Sequence, residues 1–147
     1  MYDRILAATD GSTLSKNAVC GAIGLASSLG AELVLLHVVP RYPTSYFEGG
    51  SSVSSEDVSR IETQWAESGQ AIIDTAQQAA QAQGLKTRAV IMQSDQVATS
   101  IMAAAKKHKC GLIVMAPHGR KGIKRILLGS ETQQVLTYST IPVLVLR

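Results

Sequence analysis

The chain has 147 residues, enough to bury the core of one domain, and 46% of them are hydrophobic while 17% are charged. The net charge of +3 is too small for a general nucleic-acid-binding protein, which more often shows a strongly basic face. No apolar run approaches the ~20 residues that span a bilayer, and the first residues lack the charged and apolar segments of a signal peptide. We therefore expect one domain, residues 1–147, in a cytoplasmic protein that neither enters a membrane nor binds nucleic acid.

Only six residues are aromatic (one Trp, four Tyr and one Phe), so the core is expected to be aliphatic. Cys20 and Cys110 have no Cys-x-x-Cys partner and no set of histidines nearby, which predicts two buried thiols. His37 lies inside an apolar run and is predicted to be a hydrogen-bonded core histidine. Trp65 lies on an apolar helical stripe and is predicted to anchor the core rather than to act as a stacking platform.

Two hydrophobic patterns alternate along the chain. Short, nearly continuous apolar runs predict buried strands, and apolar residues three and four positions apart predict helices. In chain order, the predicted strands are 4–9, 32–39, 86–92, 112–116 and 141–147, and the predicted helices are 13–29, 56–84, 97–109 and 130–136.

Polar residues mark the predicted helix starts. Ser12 or Thr13 is expected to cap the first helix and Asp95 the third. Ser130 and Gln133 have the Ser-x-x-Gln spacing of a capping box, which predicts the start of the last helix. The third helix ends in the basic cluster 106–109, which complements the negative end of the helix dipole and is assigned no ligand.

The one long loop covers residues 41–55 and holds three of the six aromatic residues, namely Tyr42, Tyr46 and Phe47. Loops of this length are usually functional or mobile. An ordered surface loop whose aromatic rings pack against a helix is an equally good interpretation, and the sequence leaves both open.

Strand and helix alternate four times before a fifth strand closes the chain, which predicts an α/β fold with an open, five-stranded, mostly parallel sheet and helices on both faces. In such sheets, ligands bind at the carboxyl ends of the strands where the strand order reverses. The sequence places two loops there as candidates, residues 8–11 and the glycine-containing basic loop that follows residue 116.

The second of these loops has the composition of a phosphate site. An apolar strand leads into it, and it ends at Gly129-Ser130, where a helix is predicted to begin. Backbone N–H groups at a helix start lack intrahelical partners and carry a partial positive charge that favours phosphate. Four cations between His118 and Gly129 would raise the local potential further: Arg120, Lys121, Lys124 and Arg125.

Over nearly its whole length the chain resembles the universal stress protein family. The opening 5–12, with Thr9-Asp10-Gly11-Ser12 after a strand, is similar to the family's start, and residues 35–39 and 141–145 resemble two of its strands. The nucleotide-binding branch carries Gly-x-x-Gly, nine residues, then Gly-Ser or Gly-Thr. Here Gly119, nine intervening residues and Gly129-Ser130 match, while Ala116 replaces the first glycine.

The resemblance implies a Rossmann-like fold of the adenine nucleotide alpha hydrolase type that binds ATP, AMP or ADP, with any Mg²⁺ held by the phosphates. It also implies a homodimer that pairs through the last strand, residues 143–146. A client protein is a further implied partner. The implied site residues are Ala8, Thr9, Asp10, Val38, Met115, Ala116, His118, Gly119, Arg120, Gly129, Ser130 and Glu131.

We expect a stress-response module that acts by binding ATP rather than by turnover. Two alternatives stay open: a family member without nucleotide that works as a protein-interaction module, and a slow ATPase that uses His118 or Asp10. Ala116 favours the first alternative if its position requires a positive φ, although Pro117 biases Ala116 toward extended backbone, which alanine adopts readily. No P-loop, dinucleotide fingerprint, metal-ligand spacing or nucleophile elbow occurs in the sequence.

Overall fold

The computed structural model describes residues 2–43, 54–119 and 128–147. Strands and helices alternate along these residues, as the apolar patterns predict. In chain order the elements are β1 (Arg4–Ala8), α1 (Thr13–Leu29), β2 (Glu32–Val39), α2 (Ser55–Ala82), β3 (Thr87–Gln93), α3 (Val97–Lys107), β4 (Leu112–Met115), α4 (Ser130–Tyr138) and β5 (Val143–Val145).

All five strands form one parallel sheet in the order β3-β2-β1-β4-β5. The chain builds outward from β1 through β2 to β3, then returns to place β4 on the other side of β1. The strand order therefore reverses between β1 and β4, and their carboxyl ends border the switch point at which such sheets bind ligands. The predicted fold class is confirmed, although β5 is shorter than the predicted strand 141–147.

The sheet buries both of its faces, because successive side chains of a strand point to opposite sides. Ile5, Leu33 and Val114 lie in the cluster that α1 and α2 cover. Leu6 and Ile113, from two of the same strands, lie in the cluster that α3 and α4 cover. Continuous apolar runs were the sequence signal for this arrangement.

Two helix starts are capped by serine side chains. Ser12 Oγ accepts from Ser15 N at 3.2 Å, which confirms it as the cap of α1. Ser54 Oγ accepts from Asp57 N at 3.2 Å at the start of α2. These bonds satisfy N–H groups that have no intrahelical partner and fix where each helix leaves its loop.

The predicted cap of α3 is wrong. Asp95 Oδ1 accepts from Arg41 N at 3.1 Å, so the carboxylate binds the loop after β2 instead of the helix. The N-cap position is held by Gln96, whose side chain makes no capping bond. The prediction that both thiols are buried is half wrong, since Cys110 is buried but Cys20 is exposed on α1.

Several sequence predictions concern residues outside the described ranges. They are the aromatic pair Tyr46 and Phe47 of the long loop, and the basic residues Arg120, Lys121, Lys124 and Arg125. Among the helices that the structure describes, none is long and apolar enough to cross a bilayer.

Candidate functional site

Hydrogen bonds to β2 and α1 hold the loop that follows β1. Thr9 is buried, its N–H donates to Leu36 O at 2.9 Å, and its Oγ1 lies 3.0 Å from Ser15 Oγ. Gly11 has a φ of 80°, which lets the chain turn sharply into α1. Asp10 stands between them, and its Oδ1 accepts from Ser12 N at 2.9 Å. These contacts fix the Asp10 carboxylate at the carboxyl end of β1.

His37 supports the same loop from the neighbouring strand. Its side chain is 8% exposed, and its Nδ1 donates to Thr9 O at 2.8 Å. This satisfies the prediction of a hydrogen-bonded core histidine. The bond ties the end of β2 to the loop that carries Asp10.

On the other side of the switch point, β4 is tied to the start of α4. Thr132 Oγ1 donates to Ala116 O at 3.0 Å within the buried interior. Gly129 N donates to Pro117 O at 2.8 Å. Ala116 has a negative φ, so an alanine at this position carries no backbone strain.

Both glycines of the Gly-x9-Gly-Ser spacing stand where the chain approaches itself closely. A Cβ added to Gly119 would lie 2.5 Å from Asp10 Oδ2. A Cβ added to Gly129 would lie 3.2 Å from both Cα and Cβ of His118. Neither glycine has a positive φ. The structure therefore supports lack of space, and not positive φ, as the reason for glycine at both positions.

Helix α4 begins one residue earlier than a capping box requires, so the capping-box prediction is wrong. Gly129 is the N-cap with φ −62° and ψ 154°, and no side chain caps the helix. Ser130 is the first helical residue, and the Gln133 side chain donates to Leu128 O at 3.2 Å. Among the residues that the structure describes, no side chain accepts from the N–H groups of the first turn, which is the arrangement that favours an anion.

His118 also lines this region. Its Nδ1 is 3.2 Å from Gly119 O, which is a local backbone contact. Within residues 2–43, 54–119 and 128–147, no group of three or more His, Cys, Asp or Glu side chains could hold a metal ion. The described contacts do not single out His118 as an acid or base.

These segments border one cavity of about 520 Å³, which is within the usual size range of small-molecule sites. Every residue of the predicted site lines it except Arg120, which lies outside the described residues. The lining residues that the sequence predicted are Ala8, Thr9, Asp10, Val38, Met115, Ala116, His118, Gly119, Gly129, Ser130 and Glu131.

Sequence reasoning missed the wall that α2 contributes. Trp65, Ser68, Gly69 and Ile72 all line the cavity. Their spacing of three, four and seven residues puts them on one helical face. The available signal was Gly69, because a glycine in the middle of a helix usually has a packing reason. A Cβ there would lie 2.7 Å from His37 Cδ2, so glycine lets α2 approach β2 closely.

The prediction that Trp65 anchors the core is wrong. Its side chain is half-buried and belongs to neither core cluster among the described residues. Its ring stacks on Tyr42, with centroids 6.2 Å apart and an interplanar angle of 23°. The contact agrees with the interpretation that aromatic residues of the long loop pack against a helix, as far as Tyr42 is concerned.

A family model described as "Universal stress protein family" matches residues 1–147. The chain is 32% identical over 149 residues to universal stress protein YxiE of Bacillus subtilis, with 100% of each chain covered. It is 33% identical over 147 residues to universal stress protein MJ0531 of Methanocaldococcus jannaschii, covering 100% of this chain and 83% of the relative.

Solved structures agree with these matches. The hypothetical protein MJ0577, whose structure was used to assign its biochemical function, has a TM-score of 0.82 at 26% identity and covers 99% of this chain and 96% of its own. UspA from Lactobacillus plantarum has a TM-score of 0.85 at 22% identity, covering 99% and 98%. A universal stress protein solved in complex with cAMP has a TM-score of 0.71 at 24% identity, covering 99% and 97%. The last two likenesses show the fold alone.

Proposed function

The chain belongs to the universal stress protein family, and from that premise we propose that it binds an adenine nucleotide, ATP first, and acts by binding rather than by turnover. The observation that carries the proposal is the cavity at the switch point between β1 and β4. It is bordered by the Asp10 carboxylate and by the start of α4.

Two parts of the cavity lining suit the two ends of a nucleotide. Asp10 can accept from a ribose hydroxyl or an adenine amine, and Val38 offers an apolar surface beside it. At the start of α4, here called the phosphate end, the first-turn N–H groups and the Ser130 hydroxyl can donate to phosphate oxygens. Gly129 adds no side chain there, so a phosphate can approach the backbone.

Charge at the phosphate end favours a nucleotide that carries a divalent cation. Glu131 lines the cavity in the first turn of α4, where its carboxylate would repel a bare polyphosphate. Mg²⁺ held by the phosphates would offset that repulsion. The cations at Arg120, Lys121, Lys124 and Arg125 remain a prediction from the sequence for the same role.

Calorimetric titration of the purified protein with ATP and AMP, each with Mg²⁺, tests the proposal. Gly129→Val should weaken ATP binding about tenfold or more, because its side chain would meet His118 and fill the phosphate end. Gly24→Val is the matched control, since a Cβ at Gly24 has nothing within 4 Å. Mass spectrometry of natively purified protein should detect bound adenine nucleotide. A wild-type protein that binds neither ligand at millimolar concentration would leave the interaction-module alternative standing.

We also propose that the protein is a homodimer that pairs through the last strand. β5 stands at the edge of the sheet, and Leu144 on it is 37% exposed. An apolar edge strand favours pairing with a second copy across a two-fold axis. Light scattering after size exclusion should give the dimer mass for wild type and the monomer mass for Leu144→Lys. A wild-type monomer at micromolar concentration would contradict the proposal.

A further inference from the structure

Trp65 stands between the cavity and a second aromatic ring. It lines the cavity, whereas Tyr42, which stacks on it, does not. One side of the indole is therefore covered by protein, and another side is presented to whatever the cavity holds. Trp65 is the single tryptophan of the chain.

The packing of α2 fixes where this ring stands. Gly69 is one helical turn after Trp65 and is buried against β2, close to His37 and Val39. His37 is in turn held by its bond to Thr9 O. Because the helix backbone rests directly on the strand, Trp65 is positioned by the same contacts that position the Asp10 loop.

The wall around Trp65 differs in chemistry from the phosphate end. Pro40 and Ile72 are apolar residues that line the cavity with it, and Ser68 is the polar residue that α2 adds to this wall. A flat, aromatic group of a ligand would lose little by leaving water there and would gain from contact with the indole.

We propose that Trp65 is the base-contacting residue of the site and makes it select a purine nucleotide over a pyrimidine nucleotide and over polyphosphate without a base. The inference rests on the proposed nucleotide binding and adds to it a residue that determines specificity. Base stacking on an aromatic ring is worth about five- to a hundredfold in affinity, and a purine offers the larger face.

Calorimetry with three probes tests the inference: ATP, CTP and inorganic tripolyphosphate, each with Mg²⁺. Trp65→Leu should weaken ATP binding about tenfold, weaken CTP binding less, and leave tripolyphosphate binding within about twofold. Trp65→Phe keeps an aromatic face and should stay within about threefold of wild type for ATP. Thermal unfolding of both variants without ligand shows whether they are folded.

Fluorescence supplies a readout that a purely structural role of Trp65 would not move. ATP should change the tryptophan emission of wild type with the same dissociation constant that calorimetry gives, and tripolyphosphate should not change it.

A Trp65→Leu variant that binds ATP as tightly as wild type overturns the inference and leaves nucleotide binding intact. Equal weakening of all three probes also overturns it, since that indicates a structural role. A wild-type protein that binds no ATP overturns the inference and the proposed function together.

Discussion

The two ends of the sheet use polar groups in opposite ways. At the amino end, the Glu32 carboxylate lies 3.3 Å from Arg4 Nη2, 3.9 Å from Lys86 Nζ and 3.7 Å from Arg88 Nε. Arg4 also donates to His108 O at 2.6 Å. At the carboxyl end, Asp10 accepts from Ser12 N, and both it and the start of α4 line a cavity. Charges that pair within the chain stabilise the fold, whereas helix-start N–H groups that no described side chain caps are available to a ligand.

The difference shows that polarity alone does not identify a site. At the amino end, the charged Glu32 side chain is 11% exposed and surrounded by its partners. At the carboxyl end, two strand ends, two glycines and the start of α4 border the same cavity. Substitutions at the two ends should accordingly separate ligand binding from stability.

The largest expected effect is on binding at the carboxyl end. Gly119→Ala should weaken ATP binding about thirtyfold, roughly 2 kcal/mol, because its Cβ would displace the Asp10 carboxylate from the position it holds against Ser12 N. Calorimetry measures the loss, with Gly24→Ala as the control that adds a methyl group in open space. Equal affinities of Gly119→Ala and wild type would contradict the role assigned to this close approach.

A substitution at the amino end should do the reverse. Glu32→Gln removes the carboxylate that lies among Arg4, Lys86 and Arg88, and should lower the free energy of unfolding by about 1.5 kcal/mol. Urea denaturation measures this change. Glu67→Gln, an exposed acid on α2, should stay within about 0.5 kcal/mol of wild type.

ATP affinity of Glu32→Gln should match that of wild type. A loss of affinity without a loss of stability would show that the two ends are not separate.

The buried thiol at the amino end predicts a pH dependence. Burial raises the pKa of Cys110 from 9.0 to about 11, with the Arg4 guanidinium opposing the shift. The unfolded thiol ionises near pH 9 while the folded thiol keeps its proton, so stability is present below pH 9 and is lost as the pH rises toward 11.

Wild type should therefore lose about 1 kcal/mol more than Cys110→Ala when the free energy of unfolding is measured at pH 8.5 and at pH 10.5. Cys20→Ala, at the exposed cysteine, should lose as much as wild type. Identical losses in all three proteins would exclude Cys110 as the titrating group.

The smallest effect is expected at Ala116, the departure from the family's glycine spacing. Because Ala116 has a negative φ, Ala116→Gly should cost about 0.5 kcal/mol of stability through the added freedom of the unfolded chain. ATP affinity should change less than twofold. A large gain in affinity would instead show that the methyl group obstructs the ligand.

The sequence predicted the sheet and most of the cavity because both depend on local patterns. Continuous apolar runs mark strands that are buried on both faces, and Asp10 and Ala116 follow directly after two of them. Parallel strands bring such loops to one edge. The match of Gly119 and Gly129-Ser130 to a spaced motif then linked the second loop to phosphate.

The parts that were missed depend on how separate elements pack. Trp65 lies on a regular apolar stripe, which is equally typical of a core residue. Its place in the cavity lining depends on how closely α2 packs on β2 at Gly69, which the stripe does not show. Asp95 has the right residue type for a cap, but Arg41, far away in sequence, supplies the N–H that it binds. Ser130 was predicted as the N-cap of α4, but the helix begins one residue earlier and Gly129 is the N-cap.

The hydrogen bond from Gly129 N to Pro117 O has a kinetic consequence. This bond joins two main-chain atoms, so it does not depend on the side chain of any residue between 117 and 129. The groups that would hold a phosphate can thus stay in place while the charge of residues 120–125 changes. Retention of a ligand, and its dissociation rate, would follow the backbone, whereas the association rate and its salt dependence would follow the basic side chains. If the protein binds a nucleotide as proposed, substitutions of the basic residues should change the association rate and leave the dissociation rate nearly unchanged.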